Sequence, residues 1–340
     1  MLQRKRIALA AVCAAALCLQ GCAGTAETVE PAPKPTGVRM KAEVQWPSQK
    51  LETGENGVPL LRVYVVEKEA VETVDLETYV EGVLAGEMKN DWPMEALKAQ
   101  AILARTFVLK FVDEKESKYP DADISTDIEE AQAYDPDAVN DRIREAVKAT
   151  AGQVLNADGQ LPYAWFHAHS GGTTERAAAG LGWKETEPSY TAVVQGKEPE
   201  SVENEKDNQT LKDAKHWQAA FSVAEFEEAC RSLGVDAAVN KDTRLAVGER
   251  GEGGRAVTLR VGNAAVNAAE LRIALGSTKM RSTLLTSLKV QDGQVVMEGK
   301  GYGHGVGMSQ WGAYGMAEGG SNAEQIIEHY FHGVTVEKLW

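Results

Sequence analysis

Thirteen apolar residues run without interruption from Ile7 to Leu19, directly after Arg4, Lys5 and Arg6. A helix needs about 20 such residues to cross a bilayer, so this run is too short to span one. A basic start followed by a short apolar core is instead the pattern of a removable secretory address. No other apolar stretch approaches a spanning length. The segment also settles what cross-links the fold can use. The chain has four cysteines, and Cys13 and Cys18 lie inside the address and leave with it. Cys230, in Phe226-Glu-Glu-Ala-Cys230, sits at helical spacing and reads as a small buried apolar residue rather than a nucleophile.

The apolar run ends in Leu19-Gln20-Gly21-Cys22, which resembles a bacterial lipobox, with Cys22 as the lipidated residue. Cleavage before Cys22 and its acylation leave Cys230 alone, so no intramolecular disulfide is expected even in a compartment that permits one. Pro31, Pro33 and Pro35 among small residues then suggest an extended tether. The expected organisation is a signal peptide over 1–21, a lipidated, proline-rich tether over 22–57, and one folded domain over 58–340. The protein would be exported and lipid-anchored at the cell envelope, in contact with a membrane through its anchor.

Hydrophobic residues make up 43% and charged residues 25% of the chain, which excludes disorder, collagen or coiled coil as whole-chain architectures. The formal net charge of −14 becomes −17 once the three basic residues of the address are removed. Such acidity argues against nucleic acid as a partner and against bulk attraction to an anionic surface. β-Branched residues and alternation predict a strand over Leu60–Val66. Asp75 is a natural N-cap for an amphipathic helix carrying Leu76, Tyr79, Val80, Val83 and Leu84. Pro93 opens a second helix with Leu97, Ala101, Ala104, Val108 and Phe111 on one stripe. The acidic stretch Asp113–Asp137 reads as a surface excursion, and Gly196–Thr210 as a loop or insertion. Further helices are expected over Asp141–Ala149, Ser222–Leu233 and Asn267–Leu275, and after Ser321 with Gly333 as C-cap. Strands are expected as a pair around Asn156–Gly159, over Leu161–His169 and over Ala256–Val261. Helices and strands interleave without βαβ regularity, so the expected class is α+β, mixed sheets with flanking helices, with two lobes around a substrate cleft left open.

Four places could carry chemistry. The apolar stripe of the first helix continues onto Glu87, whose pKa a buried setting would raise, so that it keeps its proton near neutral pH as a general acid requires. A helix-end carboxylate in an ion pair would satisfy the same spacing. Lys98 and Arg105 share a face of the second helix, about 10 Å apart along its axis. They could pair Glu87, hold substrate oxygens or snorkel on a half-exposed flank. In Trp165-Phe-His167-Ala-His169-Ser170-Gly-Gly-Thr-Thr174-Glu175, the two histidines share one face of a strand, and the following turn is rich in hydroxyls and free amides. No cysteine or third ligand stands near them, so no metal is expected. Finally, Gly299-Lys-Gly-Tyr302-Gly-His304-Gly-Val-Gly307 places glycine at every odd position, leaving one bare backbone face if extended. Gln310, Trp311 and Tyr314 follow, an amide with aromatics of the kind carbohydrate sites use; tight core packing would need the same glycines. P-loop, dinucleotide, zinc-protease, nucleophile-elbow and penicillin-type motifs are all missing.

Three of these stretches together resemble the stage II sporulation protein D family, which includes the amidase-enhancer proteins. They are Tyr79-Val-Glu-Gly-Val-Leu-Ala-Gly-Glu87-Met88 with Pro93 to Phe107, Phe166 to Glu175, and Gly301 to Gly315, in the family's order. The similarity runs from about Leu60 to Leu339. It implies work on peptidoglycan glycan strands: a lytic transglycosylase that cleaves MurNAc–GlcNAc bonds in peptide-stripped strands and leaves 1,6-anhydroMurNAc ends. The family's catalytic glutamate falls on Glu87. Lys98, Gln100, Arg105, His167, Ser170, Thr174, Tyr302, His304 and Gln310 are then candidates for binding substrate. Some family members hold a metal near a His-x-x-Cys motif; Ser170 replaces that cysteine here, and no cofactor is expected. The competing expectation is a noncatalytic glycan binder that recruits or enhances a cell-wall amidase.

Overall fold

The computed structural model describes residues 50–340. The expected signal peptide, Cys22 and most of the expected tether lie outside the described residues. In chain order the elements are β1 (Leu60–Val65), β2 (Ala70–Asp75), α1 (Leu76–Glu87), α2 (Met94–Glu114), β3 (Ile124–Ser125), α3 (Asp141–Ala149), β4 (Gln153–Asn156) and β5 (Phe166–His167). They continue with α4 (Ala177–Leu181), α5 (Glu205–Lys215), β6 (Trp217–Ser222), α6 (Val223–Ser232), β7 (Leu245–Val247), β8 (Thr258–Val261), β9 (Ala264–Asn267) and α7 (Ala268–Ala274). β10 (Leu285–Gln291), β11 (Gln294–Gly299), β12 (Met308–Ser309), α8 (Gln310–Glu318), α9 (Ala323–Tyr330) and β13 (Thr335–Lys338) complete the chain. The class is α+β, with several small sheets flanked by helices. No helix among the described residues is long and apolar enough to cross a membrane.

Two hydrophobic cores account for most of the packing. The larger gathers α1, the long α2, α3, α8 and α9 with β1 and β4. The smaller joins the β10-β11-β6 and β7-β8-β9 sheets to α6 and α7, with Cys230 at its centre. Burial pushes the Cys230 thiol up to about 11, consistent with an inert packing residue. Asp75 caps α1 by accepting from the Thr78 amide, and Ser222 caps α6 by accepting from Glu225. The last helix starts one residue later than its sequence suggests: Asn322, not Ser321, forms a reciprocal capping box with Gln325.

Five expectations are corrected. The polar 196–210 stretch is a loop only as far as Asn204, whose side chain caps α5 by accepting from the Asp207 amide. The Asn156–Gly159 turn does not join a strand pair: β4 pairs antiparallel with β13 near the end of the chain. Only Phe166 and His167 of the 161–169 stretch are in a strand, paired parallel with β12. The glycine-alternating segment is not a strand, because Gly301, Gly303, Gly305 and Gly307 all take left-handed φ values, 80°, 102°, 84° and 69°. Its zigzag lets backbone meet backbone: a Cβ on Gly301 would lie 2.9 Å from the His169 carbonyl oxygen, and one on Gly303 2.7 Å from the His167 Cβ. The acidic 113–137 excursion is only partly at the surface. Ile124 and Ser125 extend the β1 sheet, and Ala131 and Gln132 are buried. Their seat is made by glycines, not by apolar side chains, so hydropathy gave no sign of it. The Tyr134 ring lies where a Cβ on Gly82 would be, and the Ala133 carbonyl carbon would be 2.8 Å from one on Gly86.

Arg105 anchors α2 to α1 and β4. Its buried guanidinium donates to both Glu77 oxygens, at 3.1 and 2.5 Å, and to the Gln153 carbonyl at 2.9 Å. Lys98 makes only a half-exposed pair with Glu95, at 2.7 Å. Removing one partner of a buried pair strands the other, whereas an exposed pair contributes little. Arg105→Ala is therefore expected to destabilise the fold by about 3–5 kcal/mol and Lys98→Ala by less than about 1 kcal/mol, read by urea denaturation. Similar losses for the two variants would contradict this division.

Candidate active site

Glu87 is the last residue of α1 and is only 3% exposed. Its stripe, Tyr79, Val80, Val83 and Leu84, is buried, which carries the carboxyl to the same side. The Ala133 amide donates to Oε1 at 2.8 Å, from the segment lying on Gly82 and Gly86. From the opposite side, Gln310 at the start of α8 donates through Nε2 to the Glu87 carbonyl at 3.3 Å and to Oε2 at 3.4 Å. Burial pushes the Glu87 carboxyl up to about 7, against the downward pull of the Ala133 and Gln310 bonds. At neutral pH it is thus poised between proton donor and acceptor.

α1, α2, α8 and the segments between them carry aromatic rings and unpaired amides. Trp92 and Trp311 rings pack with centroids 4.5 Å apart, and Tyr314 meets Trp92 edge-on at 5.2 Å. Tyr79 and Tyr134 stack at 5.3 Å. The carboxamides of Gln100 and Gln132, the Gln310 Oε1 and the Tyr79 hydroxyl are buried with no hydrogen-bond partner among the described residues. Unpaired buried polar atoms are uncommon because each forfeits its hydration. Gln132 was not singled out by the sequence; its place beside Ala133 depends on the glycine seat.

The histidines form a second cluster, reached through α8. β12 runs parallel to β5, pairing Ser309 with His167. Tyr302 and His169 exchange backbone hydrogen bonds at 3.0 and 2.9 Å. His167 and His304 rings lie 5.7 Å apart. The His167 Nδ1 faces the Val306 carbonyl at 3.1 Å, which puts its proton on Nδ1 and leaves Nε2 as acceptor. His169 and His304 have the other tautomer, since Nδ1 accepts from the Gly171 amide at 2.9 Å and the Val306 amide at 3.1 Å respectively. Burial lowers all three imidazoles, His169 to about 4 and His304 to about 3, so they are neutral at pH 7. Arg255 reaches over Gly305 into this cluster and donates to the Ser170 carbonyl at 2.7 Å. Among the described residues no group of three His, Cys, Asp or Glu side chains is placed to hold a metal ion.

The structure therefore brings Glu87 and Gln310 into contact, and joins Gln310, through β12, to His167 and the segment carrying Tyr302 and His304. Neither Lys98 nor Arg105 is engaged with Glu87; their recorded partners are Glu95 and Glu77. Ser170 Oγ accepts from the Gly172 amide at 3.0 Å, and Thr174 Oγ1 donates to the Ala192 carbonyl at 2.8 Å, so both hydroxyls brace the turn. Glu198 was missed within the polar 196–210 stretch. It is buried between the Ser170 turn and Ser309, and only its long-range partners mark it out.

A family model described as stage II sporulation protein matches residues 65–156, which contain Glu87, and a second, a domain of unknown function, matches residues 189–307. The stage II sporulation protein D of Bacillus amyloliquefaciens is 32% identical over 289 residues, covering 81% of this chain and 78% of that protein. An uncharacterised protein of Brachyspira hyodysenteriae is 31% identical over 268 residues, 78% of this chain and 67% of its own. An amidase enhancer of Bacillus subtilis is 28% identical over 297 residues, 76% of this chain but 40% of its own length. The chain belongs to the stage II sporulation protein D family.

The Glu87 carboxyl holds its proton in the fold up to about pH 7, whereas in the unfolded chain it releases it near its ordinary value of 4.5. A raised pKa means that stability present at low pH is lost as pH rises between those values. Wild-type protein is expected to lose roughly 3 kcal/mol of stability across this window relative to Glu87→Gln, read by urea denaturation at pH 4.5 and 8. Parallel pH profiles would contradict a buried, protonated Glu87.

Proposed function

We propose that the protein acts on the bacterial cell wall as a lytic transglycosylase, with Glu87 as its single acid–base group. The observation that carries this reading is a buried carboxyl, its pKa raised to about 7, within the region that the family model matches. The substrate is the MurNAc–GlcNAc bond of a peptide-stripped glycan strand. Protonated Glu87 gives its proton to the glycosidic oxygen as the C1–O bond breaks, and positive charge spreads over C1 and the ring oxygen. The resulting carboxylate then takes the proton of the MurNAc C6 hydroxyl while that oxygen bonds to C1. The products are a free GlcNAc hydroxyl and a 1,6-anhydroMurNAc end. No water is consumed and Glu87 ends protonated, so one carboxyl is enough.

For the glycosidic oxygen to reach Glu87, the Ala133 amide or the Gln310 carboxamide has to yield its place. We assign the movement to Ala131–Tyr134, with Gln310 remaining to steady the carboxylate. Gln100, His167, Tyr302 and His304 would meet the sugars, while Lys98, Arg105, Ser170 and Thr174 act from the frame. The leader 1–21 would direct export and be removed, and lipidated Cys22 and the tether 22–57 would hold the domain 58–340 at the envelope, with a cleft between the two cores for the glycan. A second reading, a noncatalytic binder that enhances a cell-wall amidase, is favoured by the name of the Bacillus subtilis relative.

Incubation with peptide-free glycan, read by mass spectrometry, separates the two readings. Wild type is expected to yield anhydro ends, with activity falling as pH rises through about 7 because the proton donor is lost. Glu87→Gln is expected to lower the rate at least about a hundredfold. Folded wild type that yields no products, yet stimulates an amidase, would overturn the enzyme reading.

A further inference from the structure

The segment Gln195–Pro199 threads between the Ser170 turn and α8. The Gly196 amide donates to the Gly172 carbonyl at 2.9 Å, and a Cβ on Gly315 of α8 would strike the Lys197 carbonyl. This places the Glu198 carboxylate in the interior, with its side chain 5% exposed. One oxygen, Oε1, accepts both the Ser170 amide and the Ser309 hydroxyl, each at 2.7 Å. Three segments far apart in sequence thus meet on one oxygen.

We propose that Glu198 is a positioning residue for Glu87, acting through Ser309 and Gln310; this rests on the reading of Glu87 as the acid–base group. By accepting the hydrogen bond that the Ser309 hydroxyl donates, Glu198 fixes that rotor and turns a lone pair toward the Gly312 amide, which Ser309 Oγ accepts at 3.1 Å. That bond is the N-cap of α8. The first residue of α8 is Gln310, whose Nε2 reaches Glu87. The direction of the Gln310 carboxamide is therefore set by where α8 starts, and Glu198 sets that start against the Ser170 turn.

Burial raises the Glu198 carboxyl, but the pull of His169 in the acid range where both titrate, and hydrogen bonds from the Ser170 hydroxyl, the Ser309 hydroxyl and the Ser170 amide, hold it below its ordinary value, so it is ionised at neutral pH while His169 is not. The groups facing Glu198 are His169 with Nδ1 at 3.8 Å, the Arg255 guanidinium and the Tyr330 phenol of α9. Those facing Glu87 are Tyr79, the Ala133 amide and Gln310. A carboxylate that only braced the fold would leave the titration of Glu87 untouched. One that aims Gln310 would not, because the Gln310 bond favours the charged form of Glu87.

The test is a double-mutant cycle of Glu198→Ala with Gln310→Ala. The Glu87 titration is followed by NMR of 13C-carboxyl-labelled glutamate, its signal assigned by loss in Glu87→Gln. Glu198→Ala is expected to raise the Glu87 pKa by about half a unit and to lower kcat on peptide-free glycan about tenfold, with KM changed less than about twofold. Both effects should vanish in the Gln310→Ala background, and Glu198→Gln, which keeps an acceptor oxygen, should restore most of kcat. Ser309→Gly cuts the same link at small capping cost, and carries the test should Glu198→Ala not fold. Additive effects, or an unmoved Glu87 titration in folded protein, would overturn the proposal. A shifted Glu87 in a protein that releases no anhydro ends would keep the positioning and overturn the transglycosylase reading instead.

Discussion

A single hydrogen bond, from the Ala133 amide to Glu87, closes the burial of the carboxyl that ends α1. The bond exists because α1 offers glycine at 82 and 86, so that an extended segment with few apolar residues can lie against the helix. Exclusion of water raises the proton affinity of Glu87, while the amide and Gln310 keep it from rising further. The same contact both tunes the acid and covers it. A carboxyl left in water at this helix end would be ionised at neutral pH and unable to donate a proton to a leaving oxygen.

Close backbone approach recurs on the far side of the site. Four left-handed glycines between 301 and 307 bring that segment against His167–Ser170, and α8 starts directly after it. Arg255 and Tyr302 belong to the region matched by the domain of unknown function, Glu87 to the region matched by the family model. The glycine segment, β12 and α8 connect the smaller core to the larger one, and α8 delivers Gln310 to the acid. A side chain at any of these glycines would push apart surfaces whose contact defines the site.

What the sequence made legible follows from which interactions are local. Helical periodicity placed α1 and aimed Glu87 inward, because a 3.6-residue repeat is a property of the segment itself. Caps at Asp75 and Ser222 were readable for the same reason. The partners of Glu87 were not, since Ala133 is 46 residues away and Gln310 is 223. Glu198 looked like one more charge in a polar loop, although it is held by groups 28 and 111 residues distant. The alternating glycines fitted either a strand or a tightly packed core turn, and their positive φ values and close contacts bear out the second. Arg105 was equally ambiguous, a cation on a half-apolar face whose partner, Glu77, is fixed only by the packing of α2 on α1.

A crystal structure of Glu87→Gln with a peptide-free glycan oligomer bound tests the role of Glu87 most directly. The glycosidic oxygen is expected within hydrogen-bonding distance of residue 87, with Ala131–Tyr134 displaced from Gly82 and Gly86 and Gln310 still in place. A glycan bound elsewhere, with Ala133 still covering residue 87, would contradict it.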